Sequence, residues 1–312
     1  MIQPDRTNEL KDLMSQRIVL LDGAAGTWFQ SRRLTETDYR GDRFQDHPKD
    51  LAGNHEMLNL TKPELIREFH LEFLNAGADI VEANSFNATA VSQSEYGMTD
   101  RVEEINRRAA EIARKAVAEY LDAGGEGPKF VAGVLGPTSK TLSLSPKVED
   151  PGYRDISFDE LSNVYTEAAR ALMEGGADII LIETVFDGLN AKAAIHALMG
   201  LFEEYGRKWP IMISGTITDA SGRTLTGQTP EAFWYSLAHA EPLSIGLNCA
   251  LGVTELVPHV RALAEAADVA VSVHPNAGLP DEEGRYNDSP EHMSRVLGEI
   301  ADQGLVNIVG GC

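Results

Sequence analysis

Residues 175–183 read Gly-Gly-Ala-Asp-Ile-Ile-Leu-Ile-Glu, and the fold is decided by how this stretch is read. The glycine pair ends a helical pattern that runs over Ser157–Glu174. Asp178–Glu183 then forms an almost continuous apolar run closed by an acid. A strand apolar on successive residues, rather than on alternate ones, is expected where both of its faces are covered, as in a parallel sheet. The segment Ala76-Gly77-Ala78-Asp79-Ile80-Val81-Glu82 repeats the order of helix end, glycine turn, strand and acid. Helix-to-strand turns in general look alike, and that alone explains the echo. Either way it marks the boundary of a βα unit.

Working outward, the same kind of run recurs at Ile18–Asp22, Asp79–Ala83, Phe130–Leu135, Ile211–Thr216, Ser244–Asn248, Val269–Val273 and Val306–Val309. Helical spacing fills the intervals: Pro63–Ala76, Asp100–Leu121, Ser157–Glu174, Leu189–Tyr205, Pro230–His239, Val253–Ala267 and Ser289–Gln303. Thr61 is the expected N-cap of the first of these and Gly77 its C-cap. Eight βα units without a Pro/Ser linker or a low-complexity stretch predict one (β/α)8 TIM barrel over residues 1–312. Such barrels need about 250 residues, which leaves roughly 60 for loops. An open doubly wound sheet is the alternative; it more often carries a GxGxxG turn after its first strand, and none is seen there.

The composition suits a globular chain. Of 312 residues, 43% are hydrophobic and 24% charged, enough apolar matter for a sizeable core. With 27 lysines and arginines against 48 acids, the net charge is −21. A surface this acidic repels phosphate backbones and anionic lipids, so neither nucleic acid nor membrane is an expected partner. No apolar run reaches the length of a membrane helix, and the polar start lacks the core of a secretory signal. A cytoplasmic location is expected.

In a barrel of this type the chemistry sits at the C-terminal ends of the strands. The residues there are Asp22-Gly23-Ala24-Ala25-Gly26-Thr27, Glu82-Ala83-Asn84, Gly136-Pro137, Glu183-Thr184, Gly215-Thr216-Ile217-Thr218-Asp219, Asn248-Cys249, His274-Pro275-Asn276-Ala277-Gly278 and Gly310-Gly311-Cys312. One mouth therefore collects several acids and both cysteines of the chain. The long connection from Ala24 to Thr61 holds Arg32, Arg33, Tyr39 and Arg40. It reads either as a lid or docking surface, or as short helices plugging the barrel bottom.

Two cysteines are too few for a disulfide framework. Spacing alone does not make Cys249 and Cys312 a metal site, since catalytic zinc takes three protein ligands and an open position. A buried inert pair and a functional pair are equal readings at this level. The small residues of Gly246-Leu247-Asn248-Cys249 and Gly310-Gly311-Cys312 tip the balance, because neither thiol is set among core-filling neighbours. Met57, Met98 and Met173 read as packing residues, and Asp281-Glu282-Glu283 as a solvated turn.

Taken in order, Asp22-Gly23-x-x-Gly26-Thr27, Glu183-Thr184, Gly246-x-Asn248-Cys249, Pro275-Asn276-Ala277-Gly278 and Gly310-Gly311-Cys312 resemble the homocysteine S-methyltransferase family. Further stretches resemble the homocysteine-binding module of cobalamin-dependent methionine synthases. These are Asp38-Tyr39-Arg40-Gly41, Gly53-Asn54, Leu60-x-Lys62-Pro63-Glu64, residues 131–138 and residues 210–227.

The resemblance implies a (β/α)8 barrel with zinc held by three cysteines at its mouth. Cys249 matches the first and Cys312 the second. The third is expected directly after Cys312, so the chain reads as truncated at its C-terminus. Asn276 is either a substitute zinc ligand or a turn residue. Asp22 and Glu183 match positions that hold the homocysteine amino group, and backbone amides of Gly23 and Ala24 suit the carboxylate. Asn248 either orients the cysteine loop or touches substrate. Glu82 and Asn84 are expected to line the mouth, and His274 to be a hydrogen-bonded structural histidine.

The implied activity is zinc-dependent activation of L-homocysteine for S-methylation to methionine. Methylcobalamin would be the donor, presented by the folate, cobalamin and activation domains of an intact enzyme. The rival readings are a standalone methyltransferase using S-methylmethionine or betaine, and a noncatalytic homocysteine- or zinc-binding module.

Overall fold

The computed structural model describes residues 2–218, 221–279 and 286–312. In chain order the elements are α1 (Thr7–Gln16), β1 (Val19–Leu20), α2 (Ala25–Ser31), α3 (Glu36–Arg40), α4 (Leu58–Thr61), α5 (Pro63–Ala76), β2 (Ile80–Glu82), α6 (Ala90–Tyr96), α7 (Val102–Asp122) and β3 (Phe130–Leu135). They continue with α8 (Phe158–Gly175), β4 (Ile179–Val185), α9 (Gly188–Tyr205), β5 (Ile211–Gly215), α10 (Pro230–Leu237), β6 (Ser244–Gly252), α11 (Val253–Ala266), β7 (Ala270–Asn276), α12 (Pro290–Asp302) and β8 (Ile308–Val309).

All eight strands pair in parallel, in the order β1-β8-β7-β6-β5-β4-β3-β2. The remaining seam, between β1 and β2, is bridged at Leu21 and Ile80. This is the expected (β/α)8 barrel. Alternation along each strand sends side chains to two different cores. Val19, Leu21, Ile80, Phe130, Val134, Ile179, Leu181, Met212 and Ile308 fill the barrel. Val81, Val131, Ile180, Ile182, Ile213, Ile245, Leu247 and Val273 pack outward on the helices. Both faces are covered, which is why the strands read as continuous apolar runs. Met57, Met98 and Met173 are buried, as expected.

The barrel bottom is closed by the polar N-terminal segment. Leu10 and Leu13 of α1 join the interior cluster. The connection after β1 does not plug the bottom. Its short helices place Phe29, Tyr39, Leu51, Met57 and Leu58 against Ile66 of α5 and Ile105 and Ile112 of α7. Thr61 is not the cap of α5 either. Lys62 holds that position without a side-chain cap, and Pro63 begins the helix, where its missing N–H has no cost. Gly77 does end it, in the left-handed conformation.

The sequence echo has a structural counterpart. Asp79 opens β2 by donating its N–H to Leu20 O at 2.7 Å, and its carboxylate accepts the N–H of Leu20 at 3.0 Å. Asp178 repeats this before β4, with its N–H on Val131 O at 2.9 Å and its carboxylate on the N–H of Val131 at 2.9 Å. Each buried acid thus clamps its own strand to the preceding one. Arg17 and Lys129 neutralise Asp79 at 2.6 and 3.0 Å, and Arg114 bonds Asp178. Burial pushes the Asp79 carboxyl up, but the bonds from Arg17, Leu20 and Lys129 outweigh it and hold it below its ordinary value. Removing one partner of such a pair strands a buried charge, which costs about 3–5 kcal/mol. Asp79→Ala is therefore expected to destabilise the chain by that order in urea unfolding. A loss under about 1 kcal/mol would show that Lys129 finds water instead.

Candidate active site

Two irregularities in the sheet shape the mouth. On β4, Ile182 pairs with Ile213 but Val185 pairs with Gly215, so one extra residue bulges out. On β6, Asn248 pairs with His274 but Gly252 pairs with Asn276, so two residues are extra. Bulges re-aim side chains and concentrate beside active sites. Each carries non-glycine residues in left-handed backbone: Thr184 at φ 57°, Cys249 at 54° and Ala250 at 53°. For a β-branched residue such as Thr184 this is an outlier, and persists only where surrounding contacts enforce it.

Cys249 sits on the β6 bulge. Cys312 is placed by backbone bonds at the end of β8: Gly311 N–H meets Asp22 O at 3.3 Å and Cys312 N–H meets Pro275 O at 2.9 Å. Gly310 is required for this passage, since a Cβ there would lie 2.9 Å from Leu21 Cβ and 3.0 Å from Asp22 O. The result brings the two cysteines together with Cα atoms 5.7 Å apart, and their sulfurs are joined as a disulfide. That spacing lies in the ordinary disulfide range. Asn276 is buried at the end of β7, between the strands that carry the cysteines.

Beside the sulfurs lies a cluster of acids. Glu82, Glu183 and His274 have ligand atoms within 4.8 Å of one another, and among the described residues this is the one such group of three. Asp22 joins them by accepting the N–H of Glu82 at 2.9 Å. Among the described residues no lysine or arginine pairs with these three carboxylates. Burial pushes the Asp22 and Glu82 carboxyls well up, and repulsion adds to it: Glu82 and Glu183 act on Asp22, and Glu183 on Glu82. Burial takes Glu183 from its ordinary 4.5 to about 7. His274, 1% exposed, lies 3.0 Å from Glu183 through Nε2, and burial lowers its pKa to about 3. The ring is neutral, and a single proton bridges Nε2 and Glu183, held by the ring when Glu183 is ionised and by the acid when it is protonated.

The floor under the cysteines is polar as well. Asn248 is fully buried; Ser214 Oγ lies 2.7 Å from its Oδ1, and its Nδ2 reaches Thr184 Oγ1 at 2.8 Å and Cys249 Sγ at 3.1 Å.

A sequence-family model described as homocysteine S-methyltransferase matches residues 19–312. The chain belongs to the homocysteine S-methyltransferase family. Among solved structures it resembles the homocysteine methyltransferase MmuM from Escherichia coli. The oxidized form is 25% identical with a TM-score of 0.71, over 95% of this chain and 91% of that one. The metallated form is 24% identical with a TM-score of 0.72, over 97% and 94%.

Of the residues singled out in the sequence, Asp22, Glu183, Asn248, Cys249, Asn276 and Cys312 all lie at the mouth of this homocysteine S-methyltransferase barrel. Gly23 and Ala24 lead from β1 into α2 beside them. His274 is hydrogen-bonded, as expected, and meets Glu183. Asn84 instead ties the long connection to β2, donating to His55 O at 2.9 Å and to Asn59 Oδ1 at 3.2 Å. Ser214 was not singled out, although a serine inside the apolar run Ile-Met-Ile-Ser-Gly signals a buried hydroxyl that needs a partner. Asp219 and the 281–283 acidic run lie outside the described residues. Among the described residues no helix is long and apolar enough to cross a membrane.

Proposed function

We propose that this chain binds L-homocysteine at the barrel mouth and activates its thiol, on zinc held by Cys249 and Cys312, for S-methylation to methionine. The observation that carries the reading is the meeting of two cysteine sulfurs beside buried carboxylates with no cationic partner among the described residues. The sulfurs are close enough to converge on one ion once reduced. Two thiolates suit zinc, and Asn276 offers a third donor from the intervening strand. Zinc, when bound, lowers the pKa of a coordinated thiol so that it is a thiolate at neutral pH.

The remaining steps belong to the chain itself. Asp22 and Glu183, with Glu82 behind them, form an ammonium receptor. A buried acid cluster of this kind is held partly protonated by burial and mutual repulsion, and an incoming ammonium relieves both. The amides of Gly23 and Ala24, at the start of α2, suit the substrate carboxylate. The thiol then lies towards Cys249 and Cys312. The sulfur forms a bond to the donor's methyl carbon as the donor–carbon bond breaks, its electron pair leaving with the donor. A thiolate needs no general base at that moment.

Resemblance of residues 38–41, 131–138 and 210–227 to methionine synthases favours methylcobalamin as donor, brought by folate, cobalamin and activation domains. A second reading is a standalone methyltransferase that works without further domains, on a small donor such as S-methylmethionine or betaine; the likeness over 91% of the length of MmuM, a homocysteine methyltransferase, favours the standalone arrangement. A noncatalytic homocysteine-binding module is the third. The test is methyl transfer to homocysteine by the reduced, zinc-supplemented chain, with the three donors in parallel. Methionine from methylcobalamin alone supports the first reading. Turnover with a small donor supports the second, and homocysteine binding without turnover the third. Absence of homocysteine binding overturns all three.

Binding should also move protons. Because Glu183 titrates near neutrality, pairing it with an ammonium lowers its pKa and releases protons at pH about 6–7. Calorimetry in buffers of different ionisation enthalpy should show this release. An equal heat in all buffers would place the ammonium elsewhere.

A further inference from the structure

The carboxamide of Asn248 has no hydrogen-bonding capacity left at its donor end. One N–H reaches Thr184 Oγ1 at 2.8 Å and the other Cys249 Sγ at 3.1 Å. Which end of an amide faces which neighbour follows from its partners. The sulfur of Cys249, as a thiolate or in a disulfide, can only accept, so the NH2 end must face it. Oδ1 then faces Ser214, whose hydroxyl donates to it at 2.7 Å. Both side chains are fully buried, so the alternative to this bond is a bare hydroxyl and a bare carbonyl in the barrel wall.

We propose that Ser214 is a positioning residue for homocysteine activation: it fixes the Asn248 carboxamide so that one N–H is aimed at Cys249 Sγ. This rests on the reading of Cys249 as a zinc ligand. The same amide joins the two bulges, since Thr184 follows Glu183 on β4 and Cys249 follows Asn248 on β6. One buried carboxamide therefore keeps the sulfur and the ammonium-binding acid in register. Partners that stand behind metal ligands, orienting them and adjusting their charge, typically change metal affinity 10–100-fold when removed.

The test uses the full reduced chain and its S214A, S214T, N248A and S214A/N248A variants. Two quantities are read. One is the side-chain amide signal of Asn248 in metal-free protein by 1H–15N NMR. The other is zinc affinity by chelator competition. The amide protons should exchange slowly with solvent in the parent and in S214T, and rapidly in S214A. Zinc affinity should fall about tenfold in S214A, recover in S214T, and fall no further in the double variant than in N248A.

A protected amide in S214A, or additive losses in the double variant, overturns the proposal, because Ser214 then acts on its own. Rapid exchange with unchanged zinc affinity also overturns it. If the amide behaves as expected but the parent binds no zinc, the orientation by Ser214 stands and the zinc reading fails. A general loosening of the barrel would speed exchange at other amides too, and S214T would not selectively restore this one.

Discussion

Glu183→Gln is expected to make the ligand-free chain more stable at pH 8 while weakening homocysteine binding by roughly 30-fold or more. The first half follows from burial. Glu183 has an ordinary pKa of 4.5 and a folded value of about 7. For an acid whose pKa rises on folding, the favourable contribution is fully present below 4.5. It is lost as the pH rises through 7. Above that, folding has to keep a charge in a site crowded with Asp22 and Glu82. A shift of this size corresponds to a cost on the order of 3 kcal/mol at pH 8, shared with its coupled neighbours.

Glutamine removes that charge and keeps the shape, and its Oε1 still accepts the Nε2–H of His274. Urea unfolding at pH 8 should therefore favour the variant, and the gap should shrink at pH 5, where the glutamic acid is largely protonated. The second half of the prediction follows from the same charge. An ammonium that meets a neutral amide in place of a carboxylate loses a charge-assisted hydrogen bond in a desolvated site. Stability gained and binding lost together would identify Glu183 as a strained functional acid, as expected where activity and stability pull apart. A parent chain as stable as the variant at pH 8 would mean that water or a cation already compensates the charge.

Much of this site is legible in the sequence because its residues close strands. Asp22, Glu183, Cys249 and Cys312 each follow an apolar run, and in a parallel barrel such ends share one mouth. The echo of Ala78-Asp79 and Ala177-Asp178 was legible as a pattern, though not as the carboxylate clamp it forms. The bulges were not legible. Nothing in Ile-Glu-Thr-Val or Asn-Cys-Ala-Leu-Gly marks an unpaired residue, because neither holds a glycine at the left-handed positions Thr184, Cys249 and Ala250. These conformations are imposed by tertiary contacts, and local propensity opposes them. The bottom plug was not legible for a related reason. In α1 only Leu10 and Leu13 are buried, too few to signal a core element in a polar segment.

The cysteines give the second large effect. A disulfide has no thiolate to offer a metal, so the chain with Cys249 and Cys312 joined is expected to hold no zinc, and reduction with dithiothreitol to restore binding. In the reduced chain Cys249→Ser and Cys312→Ser should each lower zinc affinity at least about 10²-fold, because each removes one of the thiolates that make the site soft. Methyl transfer should fall with it, since an unactivated thiol is mostly protonated at neutral pH.

The cluster of Glu82, Glu183 and His274 makes this a discriminating experiment. Its donors lie within 4.8 Å of one another, and an imidazole with two carboxylates also suits zinc. The argument against it is protonation. Ligands must lose their protons to bind, and burial and mutual repulsion hold Glu82 and Glu183 against that loss. If the sulfurs hold the ion, zinc is lost in both serine variants and kept in Glu183→Gln. If the acids hold it, the pattern inverts: zinc survives the serine substitutions and oxidation of the pair, and disappears with Glu183→Gln. In that case Cys249 and Cys312 serve only to join β6 to β8, and the thiol of homocysteine must be activated on the acid cluster instead.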